Sequence, residues 1–188
     1  KEGAPPARIR IDRLYQLEDM VRKRADSIAD ALSADFGNRS RFETDLLETM
    51  VLVSAIRHAR KNLKWWMQPS HREVGFNFWP GSAVVRPEPL GVVGIVSPWN
   101  YPLQLALAPL VDAIAGGNRI IIKPSEQTPN FSDLLHRAIS ETYQEDEVAV
   151  VLGGPDIAAA FSRLPFDHLV FTGSTSVGRR VAAAARWL

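Results

Sequence analysis

Residues 91–123 read GVVGIVSPWNYPLQLALAPLVDAIAGGNRIIIK, and the succession of textures in this stretch decides the fold. "VVGIVS" is a short, continuously apolar run, the composition of a strand buried on both faces. From Pro102 to Ala115 only Gln104 and Asp112 are polar, which predicts a helix buried nearly all round, and "GGN" stops it. "RIIIK" (119–123) is a second two-sided apolar strand. The rhythm continues downstream. Thr128 and Pro129 read as a cap and first helical residue of a helix to about Tyr143. "EVAVVLGG" (147–154) is a third strand, Pro155 opens a short helix, and "HLVFT" (168–172) is a fourth strand. Such alternation predicts an α/β fold with a doubly wound, mostly parallel sheet.

Upstream, two long amphipathic helices are expected. Leu14, Leu17, Val21, Ala25, Ile28 and Leu32 recur at helical spacing, and Gly37 is a stop. "SRFE" (40–43) reads as a capping box, followed by a buried stripe of Leu47, Met50, Val51, Ser54 and Ile56. Arg57, His58, Arg60, Lys61 and Lys64 read as solvent-facing cations at that helix's C-terminal end. Between Pro69 and Pro89 the apolar residues alternate at Val74, Phe76 and Phe78, turn at Pro80-Gly81 and resume at Ala83-Val84-Val85. This predicts a hairpin too apolar to stand alone, which either packs on a partner subunit or folds back on its own domain.

Composition excludes several classes. The chain has 188 residues, 46% hydrophobic and 23% charged, with a formal net charge of +1. That balance supplies no global field for nucleic acid or a membrane surface. No apolar run reaches the roughly 18–20 residues of a spanning helix, and the N-terminal segment lacks a signal peptide's apolar core. A soluble, cytoplasmic protein is therefore expected. There is no cysteine, so disulfides, thiolate metal sites and a cysteine nucleophile are excluded within these residues. The histidines 58, 71, 136 and 168 have no ligand spacing, and no metal site is expected.

In doubly wound sheets ligands bind beyond the carboxyl ends of the strands. Three of those ends carry chemistry. After the fourth strand, "GSTSVG" brackets three helix-capping residues between Gly173 and Gly178, a seat for phosphate or a purely structural turn. It is neither G-x-G-x-x-G nor a Walker A loop. After the second strand, Glu126 can accept hydrogen bonds from both hydroxyls of a ribose, with Lys123 adding a donor. After the first, "SPWNYP" presents Asn100, whose amide is an uncharged donor suited to a developing oxyanion, or else a turn residue satisfying its own backbone.

The stretch "GVVGIVSPWNYPLQLALAPLVDAIAGGNRIIIKPSEQTP", followed by "FDHLVFTGSTSVGRRV", closely resembles the aldehyde dehydrogenase superfamily, from about Arg10 to Leu188. "ADFGNRSRFET", "RPEPLGVVGI" and the paired glycines after the third strand resemble its class-3 and coniferyl aldehyde dehydrogenase branch. The resemblance implies a Rossmann-like coenzyme-binding domain for NAD or NADP and oxidation of an aldehyde to its acid. It implies Asn100 as oxyanion donor, Pro98 and Trp99 beside the nicotinamide, and Lys123 and Glu126 at the adenosine ribose. Gly153, Gly154 and Val177 would lie near the adenine. Gly173, Ser174 and Gly178 would shape the turn at the pyrophosphate, with Phe171 and Thr172 also among the coenzyme-binding residues. A homo-oligomer, expected to be a dimer, is implied too, with the hairpin as its arm.

On that basis the chain divides into flanking helices (1–68), an oligomerisation hairpin (69–89) and a dinucleotide-binding core (90–188). The family's glutamate base and cysteine nucleophile lie beyond Leu188, so an N-terminal part, inactive alone, is expected; a helix ending in Trp187-Leu188 without a polar tail agrees. The alternatives are an acylating or acyl-phosphate-reducing dehydrogenase of the same fold, and a non-catalytic nucleotide-binding module.

Overall fold

The first amphipathic stretch forms two helices rather than one, α1 (Ala7–Lys23) and α2 (Ala25–Phe36), in a computed structural model that describes residues 4–185. The chain leaves helical geometry at Arg24, whose side chain pairs with Glu141. The stripe nevertheless survives the break, because Leu14, Leu17, Val21, Ile28 and Leu32 are all buried. Gly37 ends α2 in the left-handed conformation (φ 70°), as glycine does at little steric cost.

The next helix departs from expectation. A short turn, α3 (Arg41–Glu43), runs through a π-helical segment (Thr44–Thr49) into α4 (Met50–Trp66). The π turn inserts an extra residue and rotates everything after it relative to a regular 3.6-residue pattern. Thr44, Glu48, Leu52, Val53, Ile56, Ala59 and Leu63 are therefore buried, whereas Leu47, Met50 and Val51 of the predicted stripe are 41%, 56% and 40% exposed. The capping box does not form either. Ser40 makes no side-chain cap, and Glu43 reaches Arg39 instead, at 3.3 Å.

The basic cluster is not simply a solvated helix end. Arg57 and Arg60 reach 2.8 and 2.7 Å from the buried Glu18 carboxylate, joined by Arg22 at 2.9 Å. Burial acts to raise the Glu18 pKa, but hydrogen bonds from the three guanidiniums outweigh it and hold the group below its ordinary value. A depressed folded pKa gives stability that is present above the unfolded value of about 4.3 and lost as pH falls through the folded one. Glu18→Gln is expected to cost about 1–3 kcal/mol at neutral pH and to converge with the parent in urea unfolding once pH has fallen below the folded pKa. A penalty unchanged across that range would show that the carboxylate charge is not what the arginines hold.

The hairpin exists with a different register. Strands β1 (Ser70–Arg72) and β2 (Ala83–Val85) pair antiparallel, Ser70 opposite Val85 and Arg72 opposite Ala83. The alternating residues Val74 to Phe78 are not strand; Phe76–Phe78 form a tight 3₁₀ turn within the connection. The turn projects the rings outward, so that Phe76, Phe78 and Trp79 are 91%, 74% and 78% exposed.

The main sheet is wholly parallel. It contains β3 (Val92–Val96), β4 (Arg119–Lys123), β5 (Val148–Val150) and β6 (His168–Phe171) in spatial order β5-β4-β3-β6. Their connections carry helices α5 (Pro102–Gly116), α6 (Pro129–Thr142) and α7 (Pro155–Phe161), and β6 leads into α8 (Thr175–Ala184). Helices α1, α2 and α4 pack on α5 and α6, so that Leu17, Leu52, Leu107, Ile95, Ile122 and Ile139 share one core. Gly94 in β3 has a packing reason: a Cβ there would lie 2.7 Å from the Phe166 ring.

Proline opens α5, α6 and α7 as expected, but the α6 cap is remote. The Thr128 side chain does not cap; Asp35 of α2 accepts from the backbone N–H of Asn130 and Phe131 at 3.0 and 2.9 Å. A full carboxylate charge at the positive helix end is favoured over a hydroxyl. Trp187 and Leu188 lie outside the described residues.

Candidate functional site

The chain builds the sheet outward from β3 through β4 to β5, then crosses back to place β6 on the other side of β3. The switch in direction lies between β3 and β6, where parallel sheets of this type open a crevice at their carboxyl ends. A cleft of about 1060 Å³ occupies that position. Its walls are Ser97, Pro98 and Trp99 after β3, Lys123 to Gln127 after β4, Ala158, Ala159, Ser162 and Arg163 on and after α7, and Phe171 to Ser174 leading to Val177 and Arg180 on α8.

Nine of the expected site residues line this cleft: Pro98, Trp99, Lys123, Glu126, Phe171, Thr172, Gly173, Ser174 and Val177. Asn100, Gly153, Gly154 and Gly178 do not. Lys123 is buried to 1% exposure by its place at the end of an inner strand, and its Nζ donates to the Pro124 carbonyl at 2.7 Å and to Glu126 Oε2 at 3.4 Å. Two of its three N–H groups are thus committed and one is left for a ligand. Ser97 is 4% exposed and its Oγ has no partner, a buried polar atom at the cleft wall that a ligand or water would satisfy.

The turn into α8 is built around Phe171. A Cβ at Gly173 would meet that ring at 2.7 Å and one at Gly178 at 3.2 Å, so both glycines let the ring tuck beneath the turn. Ser174 caps the helix, its Oγ accepting from Val177 N at 3.4 Å. The amides of Thr175 and Ser176 have no intrahelical acceptor and sit at the positive end of the helix. The structural and anion-binding readings of this turn are therefore compatible.

The bend at 97–101 stands beside the cleft. Asn100 is exposed, and among the described residues its side-chain amide has no hydrogen-bond partner, so it is not an Asx turn closing on itself. The backbone is held from elsewhere. Arg39 Nη1 donates to the Asn100 carbonyl at 2.9 Å, its guanidinium carbon lying 4.8 Å from the Phe36 ring centre and 4.9 Å from that of Tyr101. Arg39 Nη2 lies 3.2 Å from Glu48 Oε1, and Glu48 Oε2 accepts from the N–H groups of Leu103 and Gln104 at 2.8 and 3.2 Å. Burial pushes the Glu48 carboxyl up, against Arg39 and the two N–H groups, which pull it down.

Sequence reasoning missed Ser97, Arg163 and Arg180 at the cleft, and Arg39 and Glu48 behind the bend. The consecutive alanines of "DIAAAF" were the one available signal for the α7 wall, since small side chains let a ligand lie close. No metal cluster of three or more His, Cys, Asp or Glu is present among the described residues, and no helix there is long and apolar enough to cross a membrane.

Strand order, switch-point cleft and serine-capped turn define a Rossmann-like α/β domain with a nucleotide-sized site. The chain belongs to the aldehyde dehydrogenase family, whose model matches residues 3–187. It is 49% identical over 181 residues to a Pseudomonas aeruginosa protein described as "Probable coniferyl aldehyde dehydrogenase", covering 96% of this chain and 38% of that one. It is 43% identical to the coniferyl aldehyde dehydrogenase of Pseudomonas sp. strain HR199, covering 98% of this chain and again 38% of the relative. The chain thus spans well under half the length of these relatives. The fold superposes on a substrate-bound Staphylococcus aureus AldH with TM-score 0.94 at 34% identity, covering 98% of this chain and 40% of that one. A Mycobacterium tuberculosis aldehyde dehydrogenase complexed with NAD⁺ gives TM-score 0.85 at 27% identity, covering 100% and 38%.

Proposed function

We propose that this chain is the coenzyme-binding part of an NAD- or NADP-dependent aldehyde dehydrogenase that oxidises an aromatic, coniferyl-type aldehyde to its carboxylic acid. The observation that carries the proposal is the switch-point cleft with Lys123, Glu126 and the Ser174 turn on its walls, in a chain of this family. The residues present fit a dinucleotide. Glu126, more than a third exposed to the cleft, accepts from a ribose diol, and Lys123 Nζ adds a donor. Ser97 Oγ and the amides of Thr175 and Ser176 take polar ligand oxygens, with Phe171, Thr172, Gly173 and Gly178 shaping that turn. Val177 and the alanine face of α7 make the flat apolar wall for a base, and Gly153 and Gly154 carry the chain to it. Pro98 and Trp99 border the nicotinamide end.

When bound, the coenzyme accepts hydride. Asn100, standing beside the cleft, donates its side-chain amide to the oxygen that becomes anionic when the aldehyde carbonyl is attacked. The attacking thiolate and the general base come from outside these 188 residues, which hold no cysteine. Residues 1–68 and 90–188 form the coenzyme domain, and the hairpin at 69–89, with its exposed aromatic rings, is the arm of a cytoplasmic homodimer.

Full-length enzyme supplied with coniferyl aldehyde and either coenzyme is expected to form coniferyl carboxylate and reduced coenzyme in equal amounts. Acid formed without coenzyme reduction, or no acid at all, overturns the proposal. A carboxylate at the ribose disfavours a 2′-phosphate, so NAD is expected to be preferred and NADP tolerated. Glu126→Gln should narrow the ratio of kcat/KM values by about 5- to 10-fold, the worth of ~1 kcal/mol of repulsion in watery surroundings. An unchanged ratio removes Glu126 from the ribose.

A further inference from the structure

We propose that Arg39, locked in place by Glu48, is a positioning residue for Asn100, connecting the N-terminal helices to the proposed oxyanion donor. The inference rests on the catalytic reading of Asn100 above. The Asn100 amide has no partner of its own among the described residues, so its aim is set by the backbone that carries it. That backbone is gripped at the residue's own carbonyl and again three and four residues further on. Arg39 holds the Asn100 carbonyl at 2.9 Å, and Glu48 holds the N–H groups of Leu103 and Gln104 at the start of α5.

The two grips are one unit. The Arg39 and Glu48 side chains are 4% and 0% exposed and lie 3.2 Å apart as an ion pair without a hydrogen bond at Glu48 Oε1, while Arg39 Nη2 donates to Glu43 Oε1 at 3.3 Å. Phe36 and Tyr101 flank the guanidinium, at 4.8 and 4.9 Å from the ring centres, which restrains its rotation. A planar fork can stack, pair with a carboxylate and bond a carbonyl together; a lysine ammonium cannot. The π-helical turn has a place here too. It is the local distortion that turns Glu48 inward, and such turns are frequent where a helix serves a site.

The test is a double-mutant cycle in the full-length enzyme with Arg39→Lys and Asn100→Ala, with NAD⁺ affinity measured by calorimetry alongside. Arg39→Lys is expected to lower kcat by about 10- to 100-fold, the scale of an ångström of misplacement, while the Kd for NAD⁺ stays within about twofold. On the Asn100→Ala background the same substitution should do almost nothing further, because nothing is left to aim. If Arg39→Lys fails to fold, Glu48→Gln, which keeps an acceptor for the two N–H groups but loses the charge, takes its place in the cycle. An additive loss, or an unchanged kcat where Asn100→Ala is crippled, overturns the inference and leaves the catalytic reading intact. A normal kcat in Asn100→Ala removes that reading and this inference with it.

Discussion

Asn100→Ala is expected to lower kcat of the full-length enzyme by about 10²–10³-fold, with the protein folded and NAD⁺ affinity retained. The size follows from removing one donor to an oxygen that carries full charge only during the reaction, roughly 2.7–4 kcal/mol. Stability should hardly change, because the exposed amide makes no hydrogen bond within the described residues that its loss could break. A turn-forming asparagine would behave in the opposite way, losing about 1 kcal/mol of stability with turnover per folded molecule unchanged. Steady-state kinetics normalised to the folded fraction separates the two. Near-normal kcat would leave the bend after β3 as a structural element alone.

Leu52→Ala is expected to destabilise the protein by about 2–5 kcal/mol, a large part of the ~5–15 kcal/mol that holds a domain together. Leu52 is 0% exposed in the core shared by α4, α5 and the sheet, so truncation loses transfer energy and leaves a cavity. Leu47→Ala, five residues earlier and 41% exposed, should stay within about 0.5 kcal/mol. The pair reads out the π turn directly, since a regular helix continued from the sequence pattern would bury Leu47. Urea unfolding of both variants at equal m-value decides it. Equal losses would restore the regular helix, and with it a different orientation for Glu48.

The sheet was legible because its information is local and redundant. Runs such as "VVGIV" and "RIIIK" can be satisfied only inside a two-sided parallel sheet, and the glycines at 37 and 117 mark helix ends with left-handed φ values of 70° and 82°. The cleft residues directly after the strands were legible for the same reason, since the architecture fixes where strand ends point. Helix caps were not. Thr128, at the α6 cap position, was passed over for Asp35, and the start of α5 is held by Glu48, carboxylates that lie 95 and 55 residues from the backbone groups they serve. A remote carboxylate wins because it brings a full charge to a helix end, and only packing decides which one arrives.

The amino-acid order by itself determined the strand and helix alternation, the glycine stops, and the placement of Lys123, Glu126 and the Ser174 turn at strand ends. Each of these depends on residues within a few positions of one another. Tertiary structure alone decided the phase of α4, the convergence of Arg22, Arg57 and Arg60 on Glu18, and the Arg39–Glu48 grip behind Asn100. Arg57 and Arg60 lie 39 and 42 residues from the Glu18 they meet, and the phase of α4 is set by how its faces pack. Once water is excluded, a buried charge must find its opposite wherever the fold brings one, and no local pattern records the choice.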